Sequence, residues 1–261
     1  MGNYLSAAPV VRKYGWRKPE QVASHRLKKL EIPDNTIYPP SIDLRGLFNY
    51  VFDQGALGSC VANAASSAMT VVINKSNLAN KDIRSRLFLY FNARMIDGNP
   101  HADSGTTITA VVYAIENNGA CSETEWPYNI GVYTTVPSKS CYASGIPYKP
   151  ISAHAVEQNL QALKHELSNG NVIMFGILVY NSFELADTTK SGIVKLPNPN
   201  EACLGGHALL LVGYNEEEKG FIFRNSWGMG WGDKGYGYIQ YEYVLNPAFA
   251  GDFWVIDKIN C

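Results

Sequence analysis

The chain has no apolar run long enough to span a bilayer, so a membrane-embedded helical protein is excluded as a reading. Its start lacks the apolar core of a secretory signal, and we expect a cytoplasmic protein on that basis, with packaging in a particle or membrane association as the alternatives. It has almost no net charge, 22 Lys and Arg against 23 Asp and Glu, and we expect no nucleic-acid partner. There is no internal repeat and no low-complexity segment. Cysteine is sparse and odd in number, at positions 60, 121, 141, 203 and 261. That count suits an enzyme with one working thiol as well as a disulfide scaffold. Cys121 and Cys141 bracket a loop-rich stretch and are read either as a bridge or as free thiols. His25, His101, His154 and His165 are scattered, with no pair at ligand spacing, and we expect no metal and no cofactor.

What charge there is lies unevenly. Residues 1–32 carry seven Lys and Arg against two Glu, a net of +5, and the remainder carries 15 basic against 21 acidic, a net of −6. A basic arm on an acidic body points to docking within the chain or to a membrane surface. Met1-Gly2-Asn3-Tyr4-Leu5-Ser6 matches the myristoylation pattern, and membrane contact is expected only if that modification occurs. Tyr14-Gly15-Trp16 and a short helical piece over Pro19 to Leu30 follow, then a Pro-rich extended linker. The arm is assigned to residues 1–40 and the main domain to 41–261.

The main domain changes texture near its middle. Residues 41–150 read as helical, with helices from Cys60 to about Asn74, from Arg84 to Arg94 and from Ser104 to about Asn117, stopped by Gly119. Residues 151–261 read as a helix over Val156 to Leu167 followed by strands at Val172 to Tyr180, His207 to Tyr214, Gly220 to Arg224, Gly235 to Tyr243 and Phe253 to Asp257. The pattern predicts an α+β chain in two lobes.

Three stretches carry candidate chemistry. Asp53-Gln54-Gly55-Ala56-Leu57-Gly58-Ser59-Cys60 is a glycine-rich turn that ends in a cysteine at a helix start. There the macrodipole favours the thiolate, which is the nucleophile; a buried structural cysteine is the plain alternative. Gly205-Gly206-His207-Ala208 opens an apolar strand, and Asn225-Ser226-Trp227-Gly228 follows another. Alone, the histidine is a core residue and the second stretch an aromatic corner.

In this order and spacing the three stretches resemble the papain-like cysteine peptidases, over about residues 41–257. The resemblance implies a papain-like fold with a helical left lobe, a β-barrel-like right lobe and a site in the cleft between them. It implies Cys60 as nucleophile, His207 as the base that returns the proton to the leaving amine, and Asn225 as the orienting residue. Gln54 and the Cys60 backbone N–H would form the oxyanion hole. Gly105, Gly206, Ala208 and Trp227 are the implied substrate-binding residues. Ala208 would line the pocket for the second residue before the cut, and Trp227 would also shield the His–Asn hydrogen bond. The implied function is endopeptidase hydrolysis of a peptide or protein substrate by a monomer.

The chain departs from the family pattern in three places. Leu57 and Val61 stand where the family often has Cys and Trp, which resembles bacterial and viral members more than lysosomal cathepsins. Asp103-Ser104-Gly105 replaces a glycine pair. The arm is about a third of a usual pro-region, and it is read as an autoinhibitory, zymogen-like segment against a plain tail. A silent binding module and another acyl transferase or exopeptidase on the same residues are the competing functions.

Overall fold

Small residues let one helix be buried on every side. Ala62, Ala64, Ala65 and Ala68 keep α1 (Cys60–Lys75) slim, and its residues from Cys60 to Ile73 are all buried. A helix enclosed all round belongs in the centre of a fold. The computed structural model describes residues 12–20, 26–33 and 35–259. In it α1 packs on two further helices and on the sheet. The chain reaches it through β1 (Ser41–Asp43). Then α2 (Arg86–Ile96) starts on Ser85, whose side chain accepts from Phe88 N–H, and α3 (Ile108–Asn118) starts on Thr107, whose side chain accepts from Ala110 N–H. Such caps satisfy backbone donors that the first turn leaves open. Gly119 ends α3 as expected, at a φ of 66°. The loop-rich stretch holds one unforeseen helix, α4 (Lys139–Gly145), capped by Ser138.

The second half supplies the strands. They are β2 (Pro150–Ala155), β3 (Ile173–Tyr180), β4 (Ile193–Val194), β5 (Cys203–Asn215), β6 (Gly220–Arg224), β7 (Tyr236–Gln240) and β8 (Ala250–Ile259). Helices α5 (Leu160–Ser168), α6 (Asn181–Glu184), α7 (Ala186–Ser191) and α8 (Tyr241–Leu245) join them. The order across the sheet is β2-β8-β3-β5-β6-β7-β4, with β1 on β5. The architecture is α+β, as expected. The sheet path is open, with β2 and β4 at its two ends, where the resemblance implied a barrel-like lobe.

Boundaries differ where a cap or a pairing edge decides them. The helix expected from Val156 starts at Leu160, because the Asn159 side chain caps it and β2 runs on to Ala155. Strand β7 stops at Gln240, where the chain turns into α8. The helix expected over Pro19 to Leu30 does not run through Arg26–Leu30. Leu27 bridges Ala155 in parallel, and Lys28 N–H donates to the Ala155 carbonyl at 3.1 Å. The open edge of β2 offers that carbonyl. Residues 21–25, the Met1–Ser6 pattern and Cys261 lie outside the described residues. Cys121 and Cys141 are free thiols in the structure. Among the described residues no helix is long and apolar enough to cross a membrane.

One buried polar cluster ties three of these elements together. His154 of β2 lies 2.8 Å from Asp257 of β8 through Nδ1 and 3.1 Å from Glu166 of α5 through Nε2. Burial pushes the imidazole pKa down, but the two carboxylates outweigh it and the net shift is upward. The charged imidazolium is therefore favoured by folding. Its stabilisation is fully present below the unfolded histidine pKa and is lost as pH rises through the raised folded value. We predict that His154→Gln lowers the thermal midpoint more at pH 5.5 than at pH 8.5, with about 1 kcal/mol between the two. Equal losses at both pH values in thermal melts would contradict the charged cluster.

Candidate active site

The turn before α1 and the ends of β5 and β6 meet at one place. Cys60 opens α1 and is fully buried. The N–H groups of Gly15 and of Ala208, which lies one residue past His207, both face its sulfur. His207 lies on β5, and its Nε2 is 2.8 Å from Asn225 Oδ1, just past the end of β6. Asn225 Oδ1 also accepts from Ser226 N–H at 2.8 Å, which fixes the amide orientation. An amide oxygen only accepts, so the His207 proton sits on Nε2 and the Nδ1 lone pair is free. Nδ1 is buried and has no hydrogen-bond partner. The Trp227 ring lies over this pair, 4.8 Å from the His207 ring between centroids.

Gln54 is buried and held at several points. Its N–H donates to the Ser226 carbonyl at 2.9 Å, and its Oε1 accepts from Ser226 Oγ at 2.7 Å. Tyr128 Oη donates to its carbonyl at 2.9 Å. These contacts leave Nε2 aimed inward, at the Leu57 carbonyl and, at 3.1 Å, at the carbonyl of Lys13. The sequence reading did not foresee Ser226 or Tyr128 in this role.

The cleft is occupied by the arm. Arg17 N–H donates to the Thr106 carbonyl and Thr106 N–H to the Gly15 carbonyl, at 2.9 and 2.8 Å. Trp16 N–H donates to the Gly206 carbonyl at 2.9 Å. Gly15 passes so close to Gly58 that a Cβ on it would lie 1.8 Å from the Gly58 carbonyl oxygen. A Cβ on Gly105 would lie 2.3 Å from the Gly15 oxygen. The Trp16 ring fills a pocket walled by Gly176 and Gly206, where added Cβ atoms would strike it. Ala208 is the register partner of Gly176 across β3 and β5. At the pocket base Asp252 accepts from Trp16 Nε1 at 3.4 Å. Gly105 itself makes room only: its own N–H goes to the Tyr90 hydroxyl at 3.1 Å, and Thr106 does the pairing.

The buried setting reverses the expected electrostatics of the thiol. The helix start favours a thiolate, yet burial pushes Cys60 up to about 11 despite the facing N–H groups. Burial pushes His207 down to about 4, the Asn225 hydrogen bond opposes this, and nearby Arg12 adds to it. Desolvation exceeds the dipole term, which is typically below about 2 kcal/mol. Both groups are therefore neutral near pH 7 with the arm in place.

Residues 38–246 match the sequence profile described as papain family cysteine protease. The chain belongs to the papain family of cysteine proteases. It is 37% identical over 216 residues to an uncharacterized peptidase C1-like protein of Acanthamoeba polyphaga mimivirus, covering 80% of this chain and 70% of that one. Its structure is similar to that of Xylellain, a cysteine protease from Xylella fastidiosa. That match has a TM-score of 0.85 and 34% identity, and covers 94% of this chain and 96% of the other. A procathepsin L 3 from Tenebrio molitor shares the fold at 17% identity and a TM-score of 0.68. This family member is thus similar to bacterial and viral proteins, as the missing Cys and Trp near Cys60 suggested.

The raised thiol gives a measurable consequence. Deprotonation of Cys60 beneath the arm is read without a reagent having to reach it: the thiolate absorbance at about 240 nm of the chain minus that of Cys60→Ala is absent at pH 7 and rises only as the pH approaches about 11. A difference signal already complete below about pH 8 would contradict the neutral pair.

Proposed function

We propose that this papain-family cysteine protease is an endopeptidase held inactive by its own arm. Cys60 attacks the substrate carbonyl carbon, and His207 Nδ1 takes the thiol proton and returns it to the leaving amine. Asn225 keeps the imidazole in the Nε2–H form, and Trp227 keeps water from that bond. Gln54 Nε2 and the Cys60 N–H receive the oxyanion, single donors of this kind being worth about 3 kcal/mol. Water then cleaves the acyl-enzyme thioester and frees the thiol.

The observation that carries the inhibited state is the Lys13 carbonyl on Gln54 Nε2. The donor meant for a reacting carbonyl is taken, and Gly15 covers the sulfur. The direction of the arm also opposes cleavage. A substrate puts the pocket residue before the carbonyl that is attacked. The arm puts Trp16 after Lys13 in the chain and pairs with Thr106 in parallel, so it lies backwards. Burial of the Trp16 indole contributes roughly 3 kcal/mol, whereas each exposed ion pair of the arm contributes about 1 kcal/mol or less. Trp16 is therefore the anchor.

Gly15→Ala tests the reading in the full-length chain. Its Cβ has no room against Gly58, so the arm must leave. We predict a rise of at least about tenfold in casein hydrolysis and in labelling of Cys60 by a peptidyl epoxide, both abolished by adding Cys60→Ala. No hydrolysis and no labelling in Gly15→Ala would favour the silent binding module.

A further inference from the structure

Two cysteines that the catalytic chemistry does not use lie side by side. Cys121 follows the end of α3 and Cys141 lies in α4; both are buried. Each is a free thiol, and the two side chains are in hydrogen-bond contact. A close backbone approach brings them together: a Cβ on Gly119 would lie 1.8 Å from the Gly145 carbonyl oxygen. The exposed Glu125 adds a carboxylate, and one of its oxygens and the two sulfurs all lie within 4.8 Å of one another. Glu125 accepts from Ser144 Oγ, and Ser138 Oγ donates to Cys141 Sγ at 3.2 Å. The buried Arg84 guanidinium interacts with Cys121, while its Nε and Nη2 donate to the Asp82 carbonyl and to Asn80 Oδ1.

Two sulfurs and a carboxylate are a donor set for zinc-like cations, which sit about 2.3 Å from sulfur and about 2.1 Å from oxygen. Around a tetrahedral ion such ligands stand about 3.5 to 3.8 Å apart, so small side-chain shifts within this cluster close on one. We propose that Cys121, Cys141 and Glu125 bind a cation of the Zn2+ class, with the fourth position left to water on the Glu125 side. Both thiols bind as thiolates, so two protons leave to solvent for each ion taken up, and Glu125 binds as the carboxylate it already is. Burial and the neighbouring Cys141 push the Cys121 thiol up, so the protons leave only in exchange for the ion. Three anionic ligands on a divalent ion leave one excess negative charge, which the Arg84 guanidinium offsets. The expectation of no metal rested on histidine spacing. Cysteines 121 and 141 stand far apart in the chain, and only the fold assembles them with Glu125. They bracket the loop that carries Tyr128, whose hydroxyl donates to the Gln54 carbonyl at 2.9 Å. An ion joining the ends of that loop therefore steadies the support of Gln54 from outside the cleft.

The test uses the reduced full-length chain carrying Cys60→Ala, so that the buried thiol of the cleft does not contribute, with Co2+ as a spectroscopic probe that Zn2+ displaces. We expect one Co2+ per chain, a thiolate-to-cobalt charge-transfer band in the near ultraviolet, about two protons released per ion, and a thermal midpoint that rises with Zn2+ to saturation. Replacing both cysteines, Cys121→Ser with Cys141→Ser, should abolish the band. Glu125→Ala, a change at an exposed side chain, should weaken binding at least about tenfold. The site is overturned by a reduced chain with no charge-transfer band, or by a Cys121–Cys141 disulfide that persists under the reductant. A band that survives the double replacement also overturns it and assigns the metal to the exposed Cys203 or to Cys261. Should the double variant not fold, Glu125→Ala decides, and an unchanged affinity overturns the site.

Discussion

Three glycines meeting backbone to backbone above one sulfur are the constraint on which the rest of the structure depends. Gly15 of the arm lies against Gly58 of the turn before α1 and against Gly105 across the cleft. A single methyl group at either contact is sterically excluded. Only this close approach lets the arm bury Cys60 fully, bring the Lys13 carbonyl to Gln54 and seat Trp16 between Gly176 and Gly206. The same chain segment thus supplies occlusion, a false carbonyl and an anchor within four residues.

The electrostatic state of the site follows from that contact. A thiol at a helix start and an imidazole steadied by an amide would ordinarily share a proton to give an ion pair. Water exclusion beneath the arm makes either charge costly, so the pair rests neutral. In our account, releasing the arm does two things at once: it opens the cleft and lets solvent restore the charged pair. The arm's Arg12, Lys13 and Arg17, meanwhile, pair with Asp53, Asp103 and Asp97 of the cleft.

Much of the site was legible because its chemistry rests on residues that sequence motifs mark. Cys60, His207 and Asn225 stand in stretches whose order and spacing leave little ambiguity, and Gln54 stands six residues before Cys60. The central helix was legible from its small residues and Gly119 from its place after an apolar run. The arm's docking was suggested by its basic charge against an acidic body and by the Tyr14-Gly15-Trp16 cluster. What stayed hidden depends on tertiary approach. Thr106 pairs with the arm because Tyr90 already takes the Gly105 N–H. Asp252 and Glu184 come from separate elements and have no motif. The thiol's raised pKa is a property of the lid over it, which no local pattern near Cys60 records. The helix expected at Leu27 yielded to an unpaired carbonyl on β2.

The central claim is that arm and substrate compete for one cleft. Amide hydrogen exchange of the full-length chain, followed by mass spectrometry before and after a peptidyl epoxide has been left to label Cys60 to completion, addresses this directly. The account predicts that residues 12–18 exchange slowly in the untreated chain, because Trp16 and Arg17 N–H are bonded to Gly206 and Thr106, and become fully exposed once the epoxide occupies the cleft. Slow exchange of residues 12–18 in the labelled chain would show both seated together and would contradict it.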